Sequence, residues 1–201
     1  MTTEHPDLQA LAARQLAALA DALADESTVA DQPSLCAGWK VRNVLAHMTM
    51  AARYDPPAFM RELAAAGNDF QTLSETVARR DGELPMAQLL ADLRSDTMAV
   101  WAPPGGGAMG ALTHAVIHGL DITSALGLPR SADDEATRIV LTALADGLAA
   151  HFGTTTSGRR LRATDLDWRF GEGPSVDATA ADLILALAGR HRDGLDLRTA
   201  A

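Results

Sequence analysis

The chain has 201 residues, a length that suits one domain, or one main domain with a small appendage, and allows a substantial buried core. Apolar residues make up 47% and aromatics only 4%, so the core is aliphatic, and the abundance of Ala and Leu favours helices over a β-sandwich. A formal charge of −9 argues against nucleic acid or an anionic membrane surface as the main partner, because both call for clustered Lys and Arg; a small molecule is the expected ligand.

In chain order, Leu8, Leu11, Leu16, Leu19 and Leu23 recur at helical spacing and predict a first amphipathic helix over 6–26. DQPSLCAG breaks it. A second helix is predicted from about Trp39 to Tyr54, carrying Val41, Val44, Leu45 and Met48 and interrupted by Pro56 and Pro57. Shorter helical pieces follow at 58–66 and 70–80. A helix at 85–101 presents Leu89, Leu90, Leu93, Val100 and Trp101 on a broad face. The glycines Gly105, Gly106 and Gly107 lack the Gly-Lys-Ser/Thr ending of a phosphate loop and are expected to act as a flexible connector.

The next helix, 109–126, is apolar or small on nearly every side apart from His114, His118 and Asp121, which predicts a central place in a bundle. Gly127 and Pro129 end it. Ser131 with Asp134 resembles a capping box for a fifth helix whose buried side is Ile139, Val140, Leu141, Leu144, Leu148 and Phe152. Periodicity then becomes alternating: Leu161 and Ala163, then Leu166, Trp168 and Phe170, predict a hairpin turning near Asp165 and packed on a helix at 178–188. Residues 194–198 are expected to add a third short strand. The domain reading is a helical bundle over 1–155 and a small α+β appendage over 156–201.

Three histidines carry the chemistry. His114 and His118, four residues apart, share one helix face one turn apart, so both rings can aim at one point. A third imidazole, His47 from the second helix, completes a set of three nitrogens around one divalent metal, with solvent or substrate in the open position. Asp121, one turn after His118, is the candidate catalytic residue, either orienting His118 or binding the metal itself. Asn43 and Tyr54 share the face of His47 and are secondary pocket candidates, and Arg160 and Arg162 alternate onto one strand face that suits a substrate carboxylate. Cys36 lies eleven residues before His47. At about 1.5 Å of rise per residue that sets it more than about 10 Å away along the helix, which predicts a small buried loop residue and no ligand. His5, His151 and His191 carry no functional expectation.

The single cysteine permits no intrachain disulfide. MTTEHPDLQ lacks the features of a signal peptide, and no apolar run approaches the roughly 20 residues that span a bilayer. The expectation is a soluble cytoplasmic protein without a membrane or nucleic-acid partner.

The segment LCAGWKVRNVLAHM and the later HAVIHGLD resemble the mycothiol-dependent maleylpyruvate isomerase family within the DinB-like superfamily, and RATDLDWRFGEGPSVDATAADLILALAGR resembles the C-terminal portion of its relatives. The resemblance implies a mainly α protein: a DinB-like four-helix bundle with an additional helix and a small C-terminal α+β appendage. It implies a metal, usually zinc with Ni2+ or Fe2+ as alternatives, on His47, His114 and His118. It also implies mycothiol as co-substrate for addition or transfer to a small electrophile. This chain departs from the family pattern at Ala37, where Pro is common, at Asn43, where Asp is common, and at His114, where the isomerase branch has Glu. Metal-assisted hydrolysis, with Asp121 or an unplaced carboxylate as base, and a non-catalytic metal-binding bundle stay open, as does a homodimer.

Overall fold

The computed structural model describes residues 6–24, 29–156, 158–190, 195 and 197. It is mainly helical with one small three-stranded sheet. It divides into two units, residues 1–131 and 132–201. The sequence reading carried the bundle on to residue 155. The structure instead groups the fifth long helix with the C-terminal elements, because that helix packs against the last helix and the short turn that follows it.

In the first unit, α1 (Leu8–Ala22) is capped by Asp7, whose carboxylate accepts from the backbone N–H groups of Gln9 and Ala10. The expected helix from Trp39 to Tyr54 is two pieces, α2 (Val41–Met48) and α3 (Met50–Arg53). The Thr49 hydroxyl between them donates to the Leu45 carbonyl at 2.7 Å, a local bond that competes with the helical ladder. The helical path ends at Arg53, before Pro56 and Pro57 as expected, and the two prolines then start a new helix: they occupy the first turn of α4 (Pro56–Ala65), where a missing N–H is harmless, behind the Asp55 cap. Next comes α5 (Phe70–Asp81).

The expected helix at 85–101 is also divided, into α6 (Met86–Leu93) and α7 (Asp96–Val100). Ser95 starts the second piece by accepting from Met98 N and donating to Asp92 O. Val100, expected on the buried face, is 75% exposed.

The central helix α8 (Gly107–Thr123) packs on α1 and α2 and buries residues on every side. Its glycine-rich entry is a built turn: Gly106 N donates to Pro103 O, and a Cβ at Gly106 or Gly110 would fall 2.9 or 2.8 Å from the Pro103 ring. The exit is a Schellman-type end at Gly127 (φ 67°), with Leu128 N bonded to Thr123 O at 2.9 Å. The main core joins Leu16 and Leu19 of α1 and Leu23 at its C-cap, Val44, Leu45 and Met48 of α2, Leu89 and Leu93 of α6, and Ala115 and Ile122 of α8. Met50, Leu73 and Val77 form a smaller cluster with Tyr54, Phe59 and Leu63.

In the second unit, α9 (Asp134–Ala145) is capped by Asp133, whose carboxylate accepts from Ala136 N at 2.8 Å; the expected Ser131 cap lies two residues too early. Gly147 at φ 122° ends the helical path, and residues Leu148–Phe152 form a 3-10 turn that leaves Phe152 37% exposed, not buried as expected. The hairpin is present as β1 (Arg160–Ala163) against β2 (Arg169–Phe170). The third strand is β3 (Ser175–Ala178), parallel to β1 in the order β2-β1-β3. The expected strand at 194–198 falls mostly outside the described residues.

The last helix, α10 (Ala180–Leu187), is capped by Thr179 and packs on α9 and β1. Ala178, expected in that helix, ends β3 instead. Trp168 Nε1 donates to Thr142 Oγ1 at 2.9 Å, tying the hairpin to α9. Among the described residues, no helix is long and apolar enough to cross a membrane.

Candidate metal centre

His47 on α2 meets His114 and His118 on α8 where these helices pack. Ring centroids lie 5.3 Å apart for His47 and His114, 4.9 Å for His47 and His118, and 4.8 Å for His114 and His118. One nitrogen from each ring lies within 4.8 Å of the others. Nε2 of His47 and Nε2 of His114 face each other at 3.4 Å. Two imidazole nitrogens bound tetrahedrally at about 2.0–2.1 Å from one ion are roughly 3.3 Å apart, so the His47–His114 spacing fits a small divalent cation, with a His118 nitrogen within 4.8 Å of both.

Two of the imidazoles are held from behind. Ser74 Oγ of α5, a nearly buried residue, lies 2.8 Å from His47 Nδ1. Asp121 Oδ2 lies 3.0 Å from His118 Nδ1, and the Asp121 side chain has no exposure at all. A carboxylate accepts, so His118 Nδ1 is the donor in this contact. Burial, followed by the neighbouring His118 and His47, pushes the His114 pKa well below the ordinary histidine value, against the opposing pull of Asp121. His114 is therefore neutral, as a ligand must be.

The sequence reading brings His47, His114, His118 and Asp121 to one place, and the structure places them there. Besides Ser74, it missed three neighbours. Trp39 lies 5.3 Å from the His47 ring and Trp101 lies 5.1 Å from the His114 ring, centroid to centroid. Gln9 of α1 holds the Trp101 segment by donating to the carbonyls of Ala99 and Trp101 at 3.0 Å.

The third is Cys36. Its Sγ donates to Asp121 Oδ2 at 3.1 Å and lies 3.9 Å from His118 Nδ1, and Cys36, His118 and Asp121 form a second group with metal-ligating geometry. The estimate that excluded Cys36 ran along the α2 axis. The chain instead turns back before α2: Trp39 N donates to Cys36 O at 3.0 Å around Gly38, whose φ of 75° suits glycine. That Cys-x-Gly spacing was the available signal.

Asn43 and Tyr54 serve elsewhere. Asn43 accepts from Lys40 N at 2.9 Å and donates to Ala78 O at 3.0 Å, joining the start of α2 to α5. Tyr54 donates to Asp81 at 2.8 Å inside a charged network with Arg53 and Arg80. Arg162 pairs with Asp177, and that bond, with a second from Ser175, holds the Asp177 pKa down at about 2; Arg160 is exposed on the same strand. His151 is exposed in the 3-10 turn, while His5 and His191 lie outside the described residues.

A helical bundle that turns three imidazoles inward onto one point, two of them braced from behind, defines this protein as a bundle with an internal metal-type donor cluster. Residues 10–123 match the family described as the mycothiol maleylpyruvate isomerase N-terminal domain, more than half of the chain, and the chain belongs to that family. A solved structure described as the crystal structure of the mycothiol-dependent maleylpyruvate isomerase is similar at 17% sequence identity and a TM-score of 0.45, over 97% of this chain and 95% of that one. No curated protein matches.

Proposed function

We propose that this chain is a metal-dependent enzyme that activates a low-molecular-weight thiol, mycothiol by family, for addition or transfer to a small electrophile. His47, His114 and His118 hold the divalent cation, zinc being the leading candidate. The observation that carries the reading is the 3.4 Å approach of the His47 and His114 Nε2 atoms in a cluster that the third imidazole also enters. Held by three neutral donors, such a cation keeps its full charge and supplies the Lewis acidity that deprotonates a thiol at neutral pH.

The chain's own residues do the positioning. Ser74 and Asp121 fix two rings by their Nδ1 atoms. Trp39 and Trp101 pack against His47 and His114. Three protein donors would leave a bound cation open to an exogenous ligand. Thiolate addition turns a double bond of the electrophile into a rotatable single bond; elimination restores it and completes an isomerisation, whereas release of the adduct completes a transfer. Hydrolysis is supported less well, because its base would be Asp121, which is fully buried and already accepts from His118 and Cys36.

Titrating mycothiol, cysteine and glutathione into the cobalt-substituted protein tests this reading. The expected result is a sulfur-to-cobalt charge-transfer band that saturates with mycothiol. Absence of the band with every thiol, in protein that has bound cobalt, overturns it.

A further inference from the structure

We infer that Arg53 is a positioning residue for His47: its guanidinium closes the end of α2 beside the imidazole and ties that end to α5 and α6. The inference deepens the metal-centre reading and rests on it only for the change in metal affinity. Where the His47 ring lies is read separately.

His47 stands at a poor place for a fixed ligand. It is the second-last residue of an eight-residue helix, and helix ends fray because their last four carbonyls have no partner within the helix. At the end of α2, carbonyls of that last turn are taken up from outside. Thr49 N and Thr49 Oγ1 both donate to Leu45 O, at 3.1 and 2.7 Å. Arg53 Nη2 donates at 2.5 Å to Ala46 O, the carbonyl directly before His47, and Arg53 Nη1 donates to Thr49 Oγ1 at 2.7 Å. A cation at this end also meets the negative pole of the helix.

The guanidinium is itself held. Its Nε donates to Asp81 Oδ2 of α5 at 2.9 Å and its Nη1 to Asp92 Oδ2 of α6 at 2.8 Å. Both carboxylates are nearly buried and are anchored without Arg53 as well. Asp92 accepts from Gln88 at 2.7 Å, and Asp81 accepts from Tyr54 and Arg80. Two fixed carboxylates thus orient a planar donor fork whose remaining reach falls on the α2 backbone.

The face of α5 that meets α2 carries Ser74, Ala78 and Asp81 at spacings of four and three residues. Ser74 meets the His47 ring, the Ala78 carbonyl accepts from Asn43 near the start of α2, and Asp81 holds Arg53 at its end. The imidazole and the backbone that carries it therefore take their register from one helix. Without the bond to Ala46 O the last turn of α2 relaxes, and His47 Nε2 leaves its 3.4 Å approach to His114. Lysine cannot replace this device: it keeps the charge, but its three donors sit on one nitrogen and do not span Asp81, Asp92, Thr49 and Ala46 O together.

The test uses full-length wild type, Arg53→Lys, Thr49→Val and Tyr54→Phe, each checked by circular dichroism and studied well below its melting temperature. Tyr54→Phe takes a hydrogen bond from the same Asp81 but none from α2, and so controls for a loss of stability alone. Zinc affinity by chelator competition is expected to fall several-fold to about tenfold in R53K and T49V and to stay within about twofold of wild type in Y54F. In long-range 1H–15N spectra of the metal-free proteins, the His47 ring resonances, which feel the Trp39 ring 5.3 Å away, are expected to move in R53K and T49V and to hold in Y54F.

Wild-type affinity or unmoved His47 resonances in folded R53K overturns the inference; if R53K does not fold, T49V decides in the same way. An equal loss of affinity in Y54F also overturns it, by making the effect one of stability. If wild type binds no zinc but the resonances move as expected, the inference stands and the metal reading falls.

Discussion

His47 Nδ1 sits 2.8 Å from Ser74 Oγ, and this one contact links α5, which carries no ligand candidate, to the histidine cluster. The hydroxyl fixes the imidazole with Nε2 facing His114. Ser74→Ala is expected to weaken zinc binding by about tenfold, at the lower end of what such supporting bonds contribute, with helical content unchanged. Chelator competition on the two proteins checks it; equal affinities would mean that the ring is held by packing alone.

Asp81 anchors the other charged cluster of the first unit. It accepts from Arg53 Nε at 2.9 Å and from Tyr54, with side-chain exposures of 14% for Arg53 and 9% for Asp81. Burial tends to raise its pKa, but the hydrogen bonds from Tyr54, Arg53 and Arg80 and the Arg53 charge outweigh it, and the folded value lies below the ordinary 3.8. The sign follows: with the folded pKa depressed, this stabilisation is present above about 4 and is lost as pH falls through the folded value. Asp81→Ala is expected to cost about 1–3 kcal/mol at neutral pH, because it takes the acceptor from Arg53 Nε and from Tyr54 while Arg53 keeps its pair with Asp92 at 2.8 Å, and to remove part of the acid sensitivity. Urea titrations at pH 7 and pH 3 check both, and an identical stability loss at the two pH values would contradict the assignment.

Gly82, at the end of α5, leaves room for Asn43. A Cβ there would fall 2.5 Å from Asn43 Nδ2 and 2.7 Å from the Ala78 carbonyl, the two partners of the bond that joins α2 to α5. Gly82→Ala is expected to destabilise the first unit by about 1–3 kcal/mol through this overlap. A thermal melt checks it; an unchanged or raised midpoint would show that Asn43 moves aside freely.

The helices were legible because their signals are local. The periodic leucines of α1 and the apolar α8 with His114 and His118 one turn apart needed only the 3.6-residue repeat. The interruptions were not: Thr49 divides α2 from α3 by bonding back to Leu45, and Ser95 divides α6 from α7 by capping, choices made by single hydroxyls within apolar runs. In the candidate site, the inward-facing histidines and Asp121 followed from helix geometry. Cys36, Ser74, Trp39 and Trp101 did not, since each arrives from a separate segment through tertiary packing or a turn. Cys36 shows the error most plainly: distance counted along a helix axis fails where the chain reverses at Gly38 before the helix begins. The parallel placement of β3 beside β1 was missed because strand order depends on the connection through 171–174, not on the alternation within either strand.

The most direct test of the account is metal content, measured by elemental analysis of purified wild type and of His47→Ala, His114→Ala and His118→Ala after equilibration with zinc and desalting. The account predicts about one zinc per wild-type chain and a large loss in each variant, since removing any one of three donors breaks the set. One zinc retained in all three variants, or none bound by wild type, would contradict it.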